Sequence, residues 1–123
     1  MEKNESKVQY AVMIDPDHTV HVIPILMSDV LTCLQNRVDG YIQAIPWGLV
    51  MSHWLMVINE EGKLKDLPRN DVATELYDSD WDYIVGNAVL CKAGSEDFEF
   101  VTYDDALELA ENVAYAYDCS LRD

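Results

Sequence analysis

His18 and His21 are the first side chains whose type and spacing could bind a metal ion, and His53 lies far along the chain. On a helix, a separation of three residues would place two imidazoles on one face. These two instead flank a turn and enter a predicted strand, where residues i and i+3 point to opposite sides. Zinc also needs two further ligands, and no Cys/His pair in the sequence supplies them. We therefore expect no metal site here.

The segment DSDWD, residues 78–82, places carboxylates at alternate positions, as the start of a calcium-binding loop does. Such a loop has glycine at its sixth position and a bidentate glutamate at its twelfth. Those positions hold Tyr83 and Val89, so the calcium pattern fails twice. Weak divalent binding by clustered carboxylates and a solvated acidic turn both stay open.

No residue set predicts catalysis or a cofactor. Cys33, Cys91 and Cys119 lie in predicted helices or strands among apolar neighbours, where a thiolate is disfavoured. The serines have no nucleophile-elbow motif, and no glycine-rich phosphate loop is present. Carboxylates are so frequent that their spacing selects no glycosidase-like pair. We predict that the protein is not an enzyme.

Trp47 and Trp81 are candidates for stacking on a ligand. Pro46 and Gly48 flank Trp47 and place it in an irregular segment. An exposed ring there could stack on a base or anchor a partner protein. Burial in the core is the alternative, and for Trp47 it is the favoured interpretation.

Charge is the strongest compositional signal, with 23 acidic against 8 basic residues and a net charge of −15. Residues 71–123 carry 14 acids and 2 bases, whereas residues 1–70 carry 9 acids and 6 bases. Such a domain should be repelled by nucleic acids and by anionic membranes, and it should be attracted to basic partners. Plain solubility is the alternative explanation.

Carboxylates at helical spacing can imitate a nucleic-acid backbone. Positions four residues apart on a helix are separated by about 6 Å along its axis, and each DNA strand carries about one charge per 3.4 Å. For each acid taken singly, a solvated helix face is the alternative. The candidate partner-binding residues are Asp71, Glu75, Asp78, Asp80, Asp82, Asp104, Asp105, Glu108 and Glu111.

The elements that must position these side chains form one small α+β domain over residues 7–121, after a disordered N-terminus at residues 1–6. We predict a mainly antiparallel sheet of about five strands with two to three helices, the longest at the C-terminus. Runs of strand-forming residues predict strands at 8–14, 19–25, 41–47, 54–59 and 84–91, with a short sixth at 98–101. Pro24 predicts that the second strand either lies at an edge or ends there.

Capping residues predict where the helices begin and end. The first predicted helix runs from a Ser28 cap to Asp39, and Gly40 closes it in the left-handed conformation typical of a C-terminal glycine. The second runs from an Asn70 or Asp71 cap to Leu76, and the third begins at a Thr102 cap. In the last helix, an apolar stripe is predicted to face the core and an acidic stripe to face solvent. The apolar stripe is Leu107, Ala110, Ala114 and Tyr117, and the acidic stripe is Asp104, Glu108, Glu111 and Asp118.

Three runs in the middle of the chain, GYIQAIPW, VINEEGKLKDLPRNDVATEL and DYIVGNAVLC, resemble the family catalogued as domain of unknown function 3846. That family has a similar GYIE strand, an NEEGKL…LP.N turn and connector, and an IVG strand. The resemblance covers about residues 40–91 and plausibly extends to 113. It implies an α+β protein of a phage, plasmid or other bacterial mobile element, without an assigned activity. We interpret its signature residues structurally, with Gly62 at positive φ in a turn and Asn70 as a helix cap.

The leading hypothesis is therefore a non-enzymatic acidic protein in the cytoplasm of a bacterial host, as the few unpaired cysteines also suggest. It would occlude a basic surface of a host nucleic-acid-handling or defence protein, with no direct contact to nucleic acid or membrane. A module that binds a nucleotide signal at a homo-oligomer interface is the alternative, if Arg37, Lys63, Lys65 or Arg69 converge on one pocket. A domain with a purely protein–protein role is a further alternative.

Overall fold

The computed structural model of the protein describes residues 7–47, 53–79, 82–94 and 98–121. The predicted disordered segment 1–6 lies outside these residues. The described residues form six strands and three helices, which confirms the predicted α+β class and the long C-terminal helix. The strands are β1 (Val8–Ile14), β2 (Val20–Leu26), β3 (Ile42–Pro46), β4 (Trp54–Asn59), β5 (Ala88–Ala93) and β6 (Phe98–Glu99). The helices are α1 (Val30–Val38), α2 (Asp71–Tyr77) and α3 (Tyr103–Ser120).

The strands form an antiparallel sheet in the order β2-β1-β5-β4-β3. β6 pairs with the far end of β5, and Val101 just after β6 forms a bridge with Tyr10 of β1. Side chains alternate between the two faces of the sheet along each strand. Apolar side chains cover both faces. α1 packs on one face, and α2 and α3 pack on the other. The domain therefore has three layers, with the acidic C-terminal half supplying one of them.

β1 and β2 form the predicted hairpin around the DPDH turn. The carbonyl oxygen of Asp15 accepts the His18 backbone N–H at 3.0 Å, and the Asp17 carboxylate accepts the Thr19 N–H at 3.0 Å. β2 lies at the edge of the sheet, where Pro24, which has no N–H to donate, is tolerated. The structure confirms both the hairpin and its edge position.

The first helix begins one residue later than predicted. A turn in which the Asp29 N–H donates to the carbonyl of Leu26 at 2.9 Å holds Ser28 outside the helix, so Asp29 occupies the N-cap position. At the other end, Asp39 with φ of 63° takes the left-handed conformation that we assigned to Gly40. Aspartate is one of the residues that adopts this conformation at modest cost, which explains why the helix can end there.

The predicted strand at 84–91 is too long at its start, because β5 begins only at Ala88. Gly86 has φ of 75° and donates its N–H to the carbonyl of Pro68 at 2.8 Å, which turns the chain out of the sheet. The residues before it pair with the connector instead. Val85 bridges Arg69, and the carbonyl of Ile84 accepts the Asn70 N–H at 2.8 Å.

Gly62 does not have the positive φ that we predicted for it. The left-handed residue of this turn is Asp66, with φ of 57°. Glycine is needed at position 62 for a close approach, since a Cβ there would lie 2.8 Å from Cγ2 of Val85. The connector and the 82–87 segment are therefore in direct contact, which fixes where α2 begins.

The apolar stripe predicted for α3 is rotated from the one that the helix buries. The buried residues are Ala106, Ala110 and Val113, while Leu107 is 39% exposed and Ala114 is also exposed. The two stripes differ by about 50° around the helix axis at 3.6 residues per turn. The sequence is compatible with either stripe facing the core, because apolar residues occupy more than one face of this helix. The acidic stripe is nevertheless on the solvent side.

Candidate functional site

α3 is the longest of the described elements, with 18 residues, and a side-chain cap defines where it begins. Thr102 is the N-cap, and its hydroxyl oxygen accepts the Asp105 N–H at 3.1 Å. Asp104 and Asp105 occupy the first turn, where negative side chains interact favourably with the helix dipole. The acidic start of α3 thus also favours helix stability.

The outer side of α3 carries Asp104, Glu108, Glu111 and Asp118, which are all exposed. We call these four residues the α3 acidic face. They lie on the side of the helix opposite to the buried residues and extend over fourteen residues, or about 21 Å. Tyr115, which is 70% exposed, lies among them. The α3 acidic face therefore combines a row of carboxylates with an aromatic ring of the kind enriched at interfaces.

Most of these carboxylates form no salt bridge within the part of the chain that the structure describes. Among the described residues, the salt bridges to Lys, Arg or His involve Asp15, Glu61, Asp71 and Asp82, and none involves Asp104, Glu108 or Glu111. Asp105 and Glu108 line a shallow hollow together with Lys92, whose ammonium lies 5.2 Å from the centre of the Trp54 ring. Lys92 is thus a described basic residue beside the α3 acidic face, but it forms no salt bridge with that face.

α2 adds two more exposed carboxylates in the same layer of the fold, those of Glu75 and Asp78. Its position is set by Asn70, which is fully buried. The side-chain oxygen of Asn70 caps α2 by accepting the Ala73 N–H at 3.0 Å. The amide nitrogen donates to the carbonyls of Ile14 at 2.9 Å and Gly86 at 2.8 Å. One side chain thus joins α2 to β1 and to the turn before β5.

The remaining predicted partner-binding residues have a different environment. Asp71 accepts hydrogen bonds from His18 and Arg69, each at 3.2 Å. Asp82 forms a salt bridge with Lys63, which holds the pKa of the Asp82 carboxyl below its ordinary value. Since nearby basic groups offset both charges, these two residues contribute less than the α3 acidic face. Asp80 and Trp81 lie outside the described residues.

A hollow of about 350 Å³ lies between α2 and the C-terminal turns of α3. Its apolar wall includes Trp47, Leu76, Ala116 and Tyr117, and its rim includes two carboxylates and a hydroxyl. The rim residues are Glu75, Asp78 and Ser120, and Val72 also lines the hollow. We call this space the α2–α3 hollow.

Trp47 is both a core residue and part of this wall. It is half-buried, packs against the core beneath α2 and α3, and its ring centre lies 5.8 Å from that of Trp54. The structure therefore places Trp47 both against the core and in the wall of the α2–α3 hollow. Sequence reasoning missed Leu76, Ala116 and Tyr117, because a hollow between two helices has no local pattern in the sequence.

A second hollow, of about 490 Å³, lies on the other side of the end of α3. It is lined by His18, Val20, Tyr115, Asp118 and neighbouring residues. The His18 and Tyr117 rings meet edge to face with centres 5.5 Å apart, so Tyr117 separates this hollow from the first. Asp118 of the α3 acidic face lines this second hollow, whereas no residue of that face lines the α2–α3 hollow.

The basic residues named as a condition for nucleotide binding do not converge. Lys63 lines a cavity of about 200 Å³ beneath the connector, but it is bound there to Asp82. Arg69 lies against the Tyr83 ring at 5.1 Å, and Lys65 pairs with Glu61 at 3.8 Å. Arg37 is on α1, in the opposite layer. The cavity therefore presents little net positive charge to an anion.

Three further features of the described residues concern a buried thiol, metal ligands and membrane-spanning helices. Burial raises the pKa of the Cys91 thiol to about 12, which suppresses the nucleophilic thiolate. Within the same residues, no group of three His, Cys, Asp or Glu side chains has the geometry of a metal site. None of the helices described has the length and apolar character needed to cross a bilayer.

Comparison with known proteins gives a family and a fold. The model of a family described as Domain of unknown function (DUF3846) matches residues 8–114. No curated protein matches the chain. Among solved structures, the crystal structure of the small RNA methyltransferase HEN1 is similar, with a TM-score of 0.56 and 17% identity over 80% of this chain. The matched region is 15% of that methyltransferase chain, so the similarity concerns the fold alone.

Proposed function

On the premise that the chain belongs to the family of domain of unknown function 3846, we propose that it is a non-enzymatic protein that binds a basic surface of a partner protein. The partner is a nucleic-acid-handling or defence protein of a bacterial host, as the phage or mobile-element character implied by the resemblance suggests. The chain occludes the surface that would otherwise contact phosphates.

One observation carries this proposal. Asp104, Glu108 and Glu111 lie on the solvent side of one helix, and no described basic residue forms a salt bridge with them. A domain that used charge only for solubility would gain as much from acids distributed over all sides. Here Glu75 and Asp78 add exposed carboxylates to the layer of α2 and α3, which carries more of the exposed acids than the rest of the described residues does.

The mechanism is competition by charge and position. Carboxylates at a helical spacing of about 6 Å approach Lys and Arg side chains of the partner and replace the phosphates they would bind. Attraction between opposite charges accelerates the encounter of the two proteins. Salt weakens this attraction because its ions screen the exposed charges. Tyr115 in the middle of the row supplies apolar area that charge alone would lack.

The experiment that tests the proposal is capture of partners from bacterial lysate on the immobilised protein. We compare wild type with a face variant, D104N/E108Q/E111Q, and with a control variant, D29N/E60Q/D66N, which removes three exposed charges from other parts of the chain. We expect wild type and control to retain the same partner at about 50 mM salt and release it at about 500 mM salt.

The face variant is expected to retain little of that partner under either condition. Equal retention by the face variant and by wild type would show that the α3 acidic face is not the binding surface. Retention that is unchanged at high salt would show that charge does not dominate the interaction. Because both variants carry the same net charge, a general effect of acidity cannot produce the expected difference.

A further inference from the structure

The lining of the α2–α3 hollow differs from the α3 acidic face because it combines apolar with acidic side chains. Leu76, Ala116 and Tyr117 make the wall apolar, whereas Glu75 and Asp78 make the rim negative. Ala116 and Ser120 are one helical turn apart on the side of α3 that faces α2. Ala116 lies five residues beyond Glu111, about 7.5 Å along α3 and about 140° around its axis, so a segment that contacts both must wrap partly around the helix.

We propose that this hollow receives one large apolar side chain of a basic, amphipathic segment of the partner. The inference rests on the proposed function and adds to it the kind of segment that is bound. Lys and Arg side chains of that segment meet the α3 acidic face and the rim, while its Trp, Phe or Leu enters between the two helices. This is the helix-in-groove mode of peptide recognition, in which apolar anchors recur at helical spacing.

Charge complementarity selects this occupant over others. A second copy of the chain would bring a net charge of −15 to a rim that is itself acidic, which opposes association through this side. An anionic small molecule is disfavoured by Glu75 and Asp78 for the same reason. A purely apolar ligand would leave these two carboxylates without partners at the edge of a desolvated site.

The volume and wall of the hollow match a single anchor. A cavity of about 150 Å³ with apolar walls is sufficient for a benzene ring, and the hollow measures about 350 Å³. Burial of one large apolar side chain in such a site strengthens binding about tenfold or more. The anchor thus supplies specificity that a row of carboxylates cannot supply alone.

The test uses two synthetic helical peptides about as long as the α3 acidic face. Both have Lys and Arg along one side, and one carries Trp where the other carries Ser. Fluorescence anisotropy at about 150 mM salt gives their affinities for wild type, for A116F, which fills the α2–α3 hollow, and for A114F, which places the same side chain on the other side of α3. Circular dichroism of A116F and A114F checks that both variants keep the helix content of wild type.

We expect wild type and A114F to bind the Trp peptide about tenfold more tightly than the Ser peptide, and A116F to bind both equally. If wild type shows no preference for the Trp peptide, or if A116F keeps that preference, the anchor site is wrong while binding through charge stands. If neither peptide binds wild type, the proposed function fails and the anchor site fails with it.

Discussion

Replacement of Asn70 with alanine is expected to lower the free energy of unfolding by about 3–4 kcal/mol. Asn70 makes three hydrogen bonds in a fully buried position, to the Ala73 N–H and to the carbonyls of Ile14 and Gly86. Alanine leaves all three backbone groups without this partner. A helix of seven residues is not stable in isolation, so α2 and its carboxylates lose their fixed position together.

Urea denaturation followed by tryptophan fluorescence measures the change, and the midpoint should fall by roughly 2 M at ordinary slopes for a domain of this size. Asn112→Ala, at an exposed position of α3, is the matched control and should leave the midpoint nearly unchanged. A midpoint for Asn70→Ala within about 0.3 M of wild type would contradict the account.

Asn70→Asp separates two roles of the side chain. Aspartate is as good a helix cap as asparagine, so a residue that only capped α2 would tolerate the change. In Asn70, the side-chain amide nitrogen donates to the carbonyl oxygens of Ile14 and Gly86. The second carboxylate oxygen of a buried aspartate would instead face these two carbonyl oxygens, which is unfavourable. We therefore expect Asn70→Asp to be at least as destabilising as Asn70→Ala.

The face variant D104N/E108Q/E111Q is expected to bind the captured partner about 100-fold more weakly than wild type does. Each carboxylate that pairs with a basic group across the interface is assigned about 1 kcal/mol, between the values for exposed and for desolvated pairs. Three such losses sum to about 3 kcal/mol, or about two decades in the dissociation constant. Biolayer interferometry with the purified partner gives the constants directly.

The fold of the face variant should be preserved. Loss of the Asp104 charge removes a favourable interaction of less than about 1 kcal/mol with the helix dipole. It also relieves repulsion between Asp104 and Glu108, which are four residues apart on the same helix. The control D29N/E60Q/D66N should stay within a factor of about three of wild type in affinity. Equal losses in both variants would indicate an effect of net charge and not of the α3 acidic face.

The sequence predicted the elements of this fold well where local chemistry determines them. The DPDH turn, Pro24 at an edge and Asn70 and Thr102 as helix caps all depend on neighbours a few residues away, and the structure has each of them. The family was likewise identified from residues 40–91, and the match extends over residues 8–114.

Most of the wrong predictions concern positions where distant residues decide the conformation, whereas the Ser28 cap was wrong because of the local turn between Leu26 and Asp29. Gly62 is required by Val85 across a tertiary contact and not by its own φ. The start of β5 moved because Gly86 bonds to Pro68, and the buried side of α3 depends on which of several apolar faces fits the sheet. The α2–α3 hollow has the same origin, since it exists only where two helices meet.

The candidate site was predictable in part for the same reason. The helical spacing of Asp104, Glu108 and Glu111 already indicated one acidic stripe, and the structure places it at the surface. Whether a charge is offset depends on partners far away in the sequence. Asp71 meets His18, and Asp82 meets Lys63, so these two acids could not be separated from the others in advance.

The central claim is that this protein and nucleic acid compete for the same basic surface. The most direct test is a titration of wild-type protein into a complex of the captured partner with fluorescently labelled duplex DNA, followed by anisotropy. We predict that the DNA is released completely, and that the face variant D104N/E108Q/E111Q requires about 100-fold more protein for half release. Binding of the protein to the partner while the DNA stays bound, as a stable ternary complex, would contradict the claim.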